Sequence, residues 1–313
     1  MLKTLEPFVT HSPRIELGPL PPAPFFKKMH SLCNDFVILH HAGPLKSWQV
    51  KAFADRRLGV GCDQVLLWAP SEKPDIHAAL RIYNADGQEV EACGNGTRCV
   101  MWELSQHYGV PSLQVETRAG LVKGYVQGGS DIAVSQGMAR FLSEEPLPLG
   151  DFGVLEGFAI DIGNPHLVVP VEGAFDQERL CRLGPRLEAH SFFENKTNVE
   201  FVKVTPQGVK LFVWERGVGS TKACASGASA AVFALYKEGL LNEPCALVSM
   251  EGGDLWVSVD PGGVVSHRAD VSLVFQGTFE GLEMYRPETD PVDREDHDDL
   301  GTAGLMHPSL SMF

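Results

Sequence analysis

Two stretches of this 313-residue chain align without a gap at a separation of 131 positions, and each carries one cysteine where a helix should begin. In the first, Arg81–Cys99, Tyr83 falls on Trp214 of the second, Ala92 on Ala223, Cys93 on Cys224, and Gly96 on Gly227; beyond it Leu104 falls on Leu235. The likeness starts well upstream of the cysteines. Leu32-Cys33-Asn34-Asp35-Phe36 resembles Ile162-Gly163-Asn164-Pro165-His166 at nearly the same spacing, so corresponding elements recur in the same order. A duplication of this size constrains the fold strongly, because whatever one copy forms the other must form too. The length, with 44% hydrophobic residues, is enough for two ordinary domains, and the repeat favours two similar ones.

Within each copy the strand signal dominates. Asp35–His40, Gln64–Trp68, Leu80–Asn84, His166–Val171, Asn198–Val204, Val209–Glu215, Leu255–Val259 and Val271–Phe275 are short, rich in Val, Leu, Ile and Phe, and mostly bounded by Gly, Pro, Asn or Asp. Ser47–Leu58 has helical spacing of Trp48, Phe53, Ala54 and Leu58, with Ser47 as its expected N-cap. Helices are also expected over Thr97–Tyr108 and Ala228–Glu238, each followed by a glycine suited to a helix C-terminus. The second of these is apolar on nearly every face, which is the pattern of a helix buried all round. The expected fold class is therefore α+β: two pseudo-symmetric domains, each a curled mixed β-sheet around one central helix. The expected division is a flexible arm over residues 1–24, a first half over 25–129 completed by about 273–286, a second half over 130–272, and an acidic, disordered tail over 287–313. The boundary between the halves is expected near Gly128–Gly129.

Several function classes are disfavoured. A formal charge of −14 argues against nucleic acid as a partner, since phosphate binding needs a basic surface. No segment reaches the roughly 18 uninterrupted apolar residues of a membrane span, and Met1–Pro24 is broken by prolines rather than built as a signal peptide. A cytoplasmic protein with no membrane partner is expected. The seven cysteines have an odd count, scattered spacing and no Cys-x-x-Cys pair, so neither a disulfide framework nor a zinc site is expected. No dinucleotide motif, phosphate loop or metal-ligand cluster stands out, and the expected cofactor is none. The oligomeric state is left open, a homodimer included.

Cys93 and Cys224 stand apart from the other thiols. A cysteine at a helix N-terminus has its thiolate favoured by unpaired amides and the helix dipole. Gly94-Asn95-Gly96 and Ala225-Ser226-Gly227 follow them, small-residue turns whose N–H groups can hold an anion such as an α-carboxylate. A single cysteine in that setting is most simply a buried helix start, and Cys99, inside a helix, is read that way. The paired occurrence favours chemistry. If the halves face each other, two helix ends grip one carboxylate and each thiol addresses one face of the adjacent α-carbon. A thiolate then removes the α-hydrogen on one face while a thiol delivers a proton on the other.

The motifs around these residues are specific. They are Lys28–Phe36, Ala54–Gln64, Tyr83-Asn84-Ala85-Asp86-Gly87, Ala92-Cys93-Gly94-Asn95-Gly96-Thr97-Arg98-Cys99, Gly163-Asn164-Pro165-His166, Thr197-Asn198-Val199, Glu215-Arg216-Gly217-Val218-Gly219 and Ala223–Ala228. In that order they resemble the diaminopimelate epimerase family over residues 25 to 285. The resemblance implies a cofactor-independent isomerase that interconverts LL- and meso-diaminopimelate, on the route to lysine and peptidoglycan. It implies Cys93 and Cys224 as the acid/base pair, with His166 and Glu215 beside them holding their protonation states. Arg216 matches the clamp on the distal carboxylate, Asn84, Asn164 and Asn198 match the amides around the distal amino acid, and Asn34 and Gln64 match further pocket residues. Gly94, Asn95, Ala225 and Ser226 match the turns that meet the α-carboxylate.

Three positions depart from the family pattern. Ala225 stands where glycine is usual, and costs about 1 kcal/mol or more if its φ must be positive but almost nothing otherwise. Cys33 also replaces a glycine, and Ser220 replaces an acid. A racemase of the same fold acting on another amino acid, or a catalytically silent homologue, is the alternative expectation.

Overall fold

The computed structural model describes residues 25–41, 43–150, 156–173, 177–280 and 282. The arm and the acidic tail expected from the sequence lie outside the described residues. The first half opens with β1 (Phe25–Ser31) and β2 (Asn34–His40), an antiparallel hairpin turning through Leu32 and Cys33. Helix α1 (Ser47–Ala54) leads to β3 (Gln64–Pro70), parallel to β2, and β4 (Ala78–Asn84) returns antiparallel. The short β5 (Glu89–Val90) folds back on β4 and delivers the chain into α2 (Gly94–Tyr108). Then β6 (Ser112–Thr117) lies parallel to β4, and β7 (Gly120–Gly128) and β8 (Asp131–Met138) complete a meander.

The continuation is β9 (Arg140–Phe141), β10 (Leu147–Pro148), β11 (Glu156–Asp161), β12 (Pro165–Pro170), α3 (Gln177–Glu188), β13 (Asn198–Thr205), β14 (Gly208–Glu215) and β15 (Gly219–Thr221). It ends with α4 (Ala225–Lys237), β16 (Cys245–Met250), β17 (Gly253–Val259), β18 (Val264–Asp270) and β19 (Ser272–Thr278). From β11 to β18 the sequence of antiparallel and parallel neighbours repeats that of β1 to β8 strand for strand. The architecture is thus two-domain α+β, with curled mixed sheets around helices, as the repeat implied.

Two exchanges lock the halves together. After each meander the chain crosses over, so that β9 joins β11 of the second half and β19 joins β1 of the first. The meander ends β8 and β18 pair with each other, antiparallel, across the seam.

Each sheet wraps an inner helix. Helix α2 touches β1, β2, β3, β6, β7 and β8, and α4 touches β11 to β14 and β16 to β18. Ala228 to Leu235 of α4 are buried without interruption, which explains why no polar face was visible in that stretch. Helices α1 and α3 cover the outer faces over separate apolar clusters. Gly128 ends β7 and Gly129 and Ser130 turn the chain into β8; past the turn Ile132 and Val134 still pack around α2, and Ala139 is in the core around α4.

Helix starts differ from the sequence expectation. Helices α2 and α4 begin at Gly94 and Ala225, three residues early, which makes Cys93 and Cys224 the N-caps themselves. Composition makes Gly-Asn-Gly read as loop, but each cysteine sulfur accepts the N–H of the third residue and supplies the cap that Ser or Asp usually provides. In α1 the N-cap is Lys46, not Ser47, and the helix stops at Ala54 rather than Leu58.

Candidate active site

The internal repeat makes Gly94 and Ala225 equivalent, and the fold brings them face to face. A Cβ built on Gly94 would lie 2.8 Å from the Ala225 Cβ and 2.8 Å from His267 Nε2. The N-termini of the two inner helices therefore converge at a seam between the halves. Their first amides have no partner within their own helices. Cys93 Sγ accepts from Gly96 N and Cys224 Sγ from Gly227 N, both at 3.4 Å. Cys224 is buried and Cys93 half-buried.

Ala225 is the first residue of α4 and is not among the non-glycine residues with positive φ, so its departure from glycine is conformationally almost free. Cys33, at φ 60°, is the departure that strains the backbone, at a cost on the order of 1 kcal/mol. Ser220 is exposed on β15 opposite Trp214.

Around Cys224 the second half assembles acids and an imidazole. His166 is fully buried; its Nδ1 meets Glu200 Oε1 at 2.7 Å and its Nε2 meets Asn164 Oδ1 at 3.1 Å. Glu215, at the end of β14, accepts a hydrogen bond from the Thr221 hydroxyl. Burial pushes the Glu215 carboxyl up, the Thr221 hydrogen bond opposes that, and Glu200 adds to it. Burial likewise pushes the Cys224 thiol well up, reinforced by Glu215 and Glu200 and opposed by the Ser226 hydroxyl, 3.3 Å from the sulfur, and the Gly227 N–H. Cys93 is pushed up to about 11 by burial; the Gly96 N–H opposes this, Glu215 adds to it and Arg98 opposes it. Glu215 thus lies close enough to disfavour ionisation of both thiols, although only one is in its own half.

On the first side, Cys93 Sγ approaches Asn34 Oδ1 at 3.8 Å. Asn34 is held by its Nδ2 to Asp63 Oδ2 (2.9 Å), and Asp63 belongs to a charged cluster with Arg56, Asp35 and Lys28. Asn95 is buried, its Nδ2 near Asn34 Oδ1 (3.5 Å) and its Oδ1 accepting from Arg98 Nη2 (2.5 Å). Its side chain is therefore committed to the protein, and only its backbone N–H is directed to Cys93.

The remaining expected pocket residues hydrogen-bond to one another and to nearby backbone. Gln64 Nε2 donates to Asn84 Oδ1 across β3 and β4 at 2.9 Å. Asn198 is nearly buried, donating to Pro165 O (3.0 Å) and accepting from Arg216 N (2.9 Å). The Arg216 side chain is exposed and reaches Asn195 O at 3.3 Å.

Three residues beside these groups escaped the sequence reading. Glu200 is a lone acid in the otherwise apolar start of β13, and a buried charge there calls for a partner. Arg98 is the one cation in the first two turns of α2, on a stretch that otherwise reads as an ordinary helix start. His267, buried on β18, carried no distinguishing pattern.

The family model for diaminopimelate epimerase matches the chain twice, at residues 26–142 and 158–274, one match per half. Diaminopimelate epimerase of Rhodospirillum centenum is 37% identical over 266 residues, covering 80% of this chain and 91% of its own. That of Carboxydothermus hydrogenoformans is 39% identical over 274 residues, covering 81% and 98%. The chain belongs to the diaminopimelate epimerase family. Membership makes it an isomerase of the epimerase class. Solved structures share the fold at lower identity. A hydroxyproline epimerase from Agrobacterium vitis superposes with a TM-score of 0.64 at 15% identity, covering 81% of this chain and 91% of its own. A phenazine biosynthesis protein from Bacillus anthracis gives 0.61 at 14%, covering 82% and 98%.

Proposed function

We propose that the chain is a cofactor-independent two-base epimerase that interconverts LL- and meso-diaminopimelate. The observation that carries this reading is the meeting of Gly94 and Ala225, each one residue past a cysteine that caps a buried helix. A carboxylate at that junction meets backbone amides from two helices at once. The α-carbon attached to it then lies between the two sulfurs. One cysteine, as thiolate, takes the α-proton, and the electron pair delocalises into the carboxylate, whose added charge the aimed amides stabilise. The thiol of the other cysteine delivers its proton to the opposite face. The configuration inverts, and the negative charge has moved from one sulfur to the other.

In this reading His166 and Glu215 hold the thiols' protonation states, with Glu200 orienting His166. Asn164 has its carboxamide oxygen turned to His166, which leaves its Nδ2 for substrate. Arg216, Asn84, Asn198, Asn34 and Gln64 bound the distal end, and a guanidinium suits a distal carboxylate because its donors form a fork. The halves are best divided by the core each segment packs into, with the change between Val134 and Ala139 on the first crossing.

The test is incubation of the reduced protein in D₂O with LL- or meso-diaminopimelate. Deuterium should appear at the α-carbon in step with isomer interconversion. Turnover of another amino acid instead would replace the substrate while keeping the chemistry, and no exchange with any amino acid would sink the enzyme reading.

A further inference from the structure

Arg98 is a fully buried cation with no acidic partner among the described residues. Its guanidinium contacts only neutral groups: Ser31 Oγ from Nε (3.3 Å) and Nη2 (3.1 Å), Asn95 Oδ1 from Nη2 (2.5 Å), and His267 Nδ1 from Nη1 (2.8 Å). Burial, then Arg98 itself, holds the His267 imidazole well below its usual range, so the ring stays neutral. It accepts from Arg98 at Nδ1 and donates from Nε2 to Gln136 Oε1 at 3.1 Å. A lone buried charge is expensive and persists where another charge compensates it. The ionisable groups facing it are Cys99, whose thiol burial keeps protonated, and Cys93.

The other half offers nothing equivalent. The position that the repeat matches to Arg98 is Ser229, buried in α4 with an unpartnered hydroxyl. The charged groups facing Cys224 are Glu215 from β14 and Glu200 from β13, both acidic; Glu200 lies against Gly227, whose N–H meets the Cys224 sulfur, and is paired with His166 of β12. Those facing Cys93 are Glu215 from β14 and Arg98 from its own helix. The common acid cancels in the comparison, which leaves a cation without an acidic partner on one side and a carboxyl paired with an imidazole on the other.

We propose that Arg98 is a positioning residue that settles the site's single negative charge on Cys93, while Glu200 keeps Cys224 as the thiol, so the free enzyme is charged on one side only. The inference rests on the two-cysteine reading above and deepens it. Every turnover that begins with the charge on Cys93 ends with it on Cys224, against Glu200. A proton must then return to Cys224 and leave Cys93 before the resting form is restored. The Arg98–His267–Gln136 chain ties this bias to the seam, since His267 and Gln136 lie on β18 and β8.

The test uses Cys224→Ser and Cys93→Ser proteins, so that each titration belongs to one thiol. Iodoacetamide alkylation is followed against pH by mass spectrometry, and the midpoint rather than the maximal rate is read, since access changes the rate alone. The Cys93 midpoint should lie below that of Cys224. Adding Arg98→Met should raise the Cys93 midpoint by about a unit or more, and Arg98→Lys should restore most of it. Glu200→Gln should lower the Cys224 midpoint. Cys224 titrating first, or equal Cys93 midpoints in the Met and Lys variants, would overturn the proposal. If Arg98→Met fails to fold, the order of the two midpoints and the Glu200→Gln shift still decide it. The D₂O assay stands apart: exchange with a reversed order removes this inference alone, and the expected order without exchange of diaminopimelate removes the substrate instead.

Discussion

Around Cys93 the structure spends a charged network that runs from buried Lys28 out to exposed Arg56, and around Cys224 a fully buried pair. Lys28, Asp35, Arg56 and Asp63 bridge β1, β2 and the loop before β3, and through Asp63 they fix Asn34 beside the first sulfur. In the second half, His166 and Glu200 do the corresponding work on Asn164 with no exposed charge at all. The backbone solution is shared: both sulfurs cap an inner helix and accept the N–H three residues on at the same 3.4 Å. Placement is thus a property of the duplicated fold, since a strand, a cap and a helix recur together. Protonation chemistry is a property of side chains that diverged freely once placement was secure.

The comparison breaks most visibly at the sulfurs. Cys93→Ala and Cys224→Ala should each lower diaminopimelate interconversion by roughly 10²–10⁴-fold or more, with circular dichroism unchanged, because each removes one of two proton-transfer groups. Full turnover by either variant would end the two-base assignment. Next comes the helix junction. Gly94→Ala drives a methyl against both Ala225 and His267 and should destabilise by about 1–3 kcal/mol in denaturant melts. Ala225→Gly should cost under about 1 kcal/mol. Combining the two should not restore stability, since His267 still meets the new Cβ; full rescue would show that the clash lies only between the helices.

Glu215→Gln removes the charge that disfavours ionisation of both thiols, so the alkaline rise in alkylation of each should move to lower pH. A shift at one thiol alone would place Glu215 in one half's service. The smallest effects concern stability against pH. Burial resists ionisation of Asp35, but hydrogen bonds from Arg56 and Lys28 overcome it and hold the carboxyl well below the usual range. Its contribution is present above the unfolded carboxylate range near pH ~4 and is lost as pH falls toward the folded value. Burial of Glu200 acts oppositely, holding its carboxyl above the usual range, so its ionisation costs stability as pH rises through that higher value. Asp35→Asn should flatten the acid side of the stability curve, and Glu200→Gln the side nearer neutrality.

Much of this was legible in the chain. The repeat located both helix starts to within three residues, and the strands beginning at Gln64 and Asn198 start where their patterns do. Helix α4 announced its burial by lacking a polar face. The cap itself was hidden because sulfur is a rare N-cap and glycine hides a helix from propensity. Glu200, Arg98 and His267 were hidden for another reason. Each acts through a partner distant in sequence, Arg98 and His267 lying in opposite halves, and no local period records such a meeting. The strained Leu32–Cys33 turn was legible only through Cys33 standing where the family has glycine, since neither side chain itself favours positive φ.

Gly94 and Ala225 are images of each other that occupy one place. A newly duplicated half carries the same residue at both positions, and two alanines there would have collided with themselves. Glycine is the residue that can meet its own copy, so an ancestor built from identical halves would have needed it twice. A second methyl would stand 2.8 Å from the first, so with one copy holding it the other can take it only if the junction shifts. The spacing of the two helix ends, and of the sulfurs they carry, is now gauged by that one carbon.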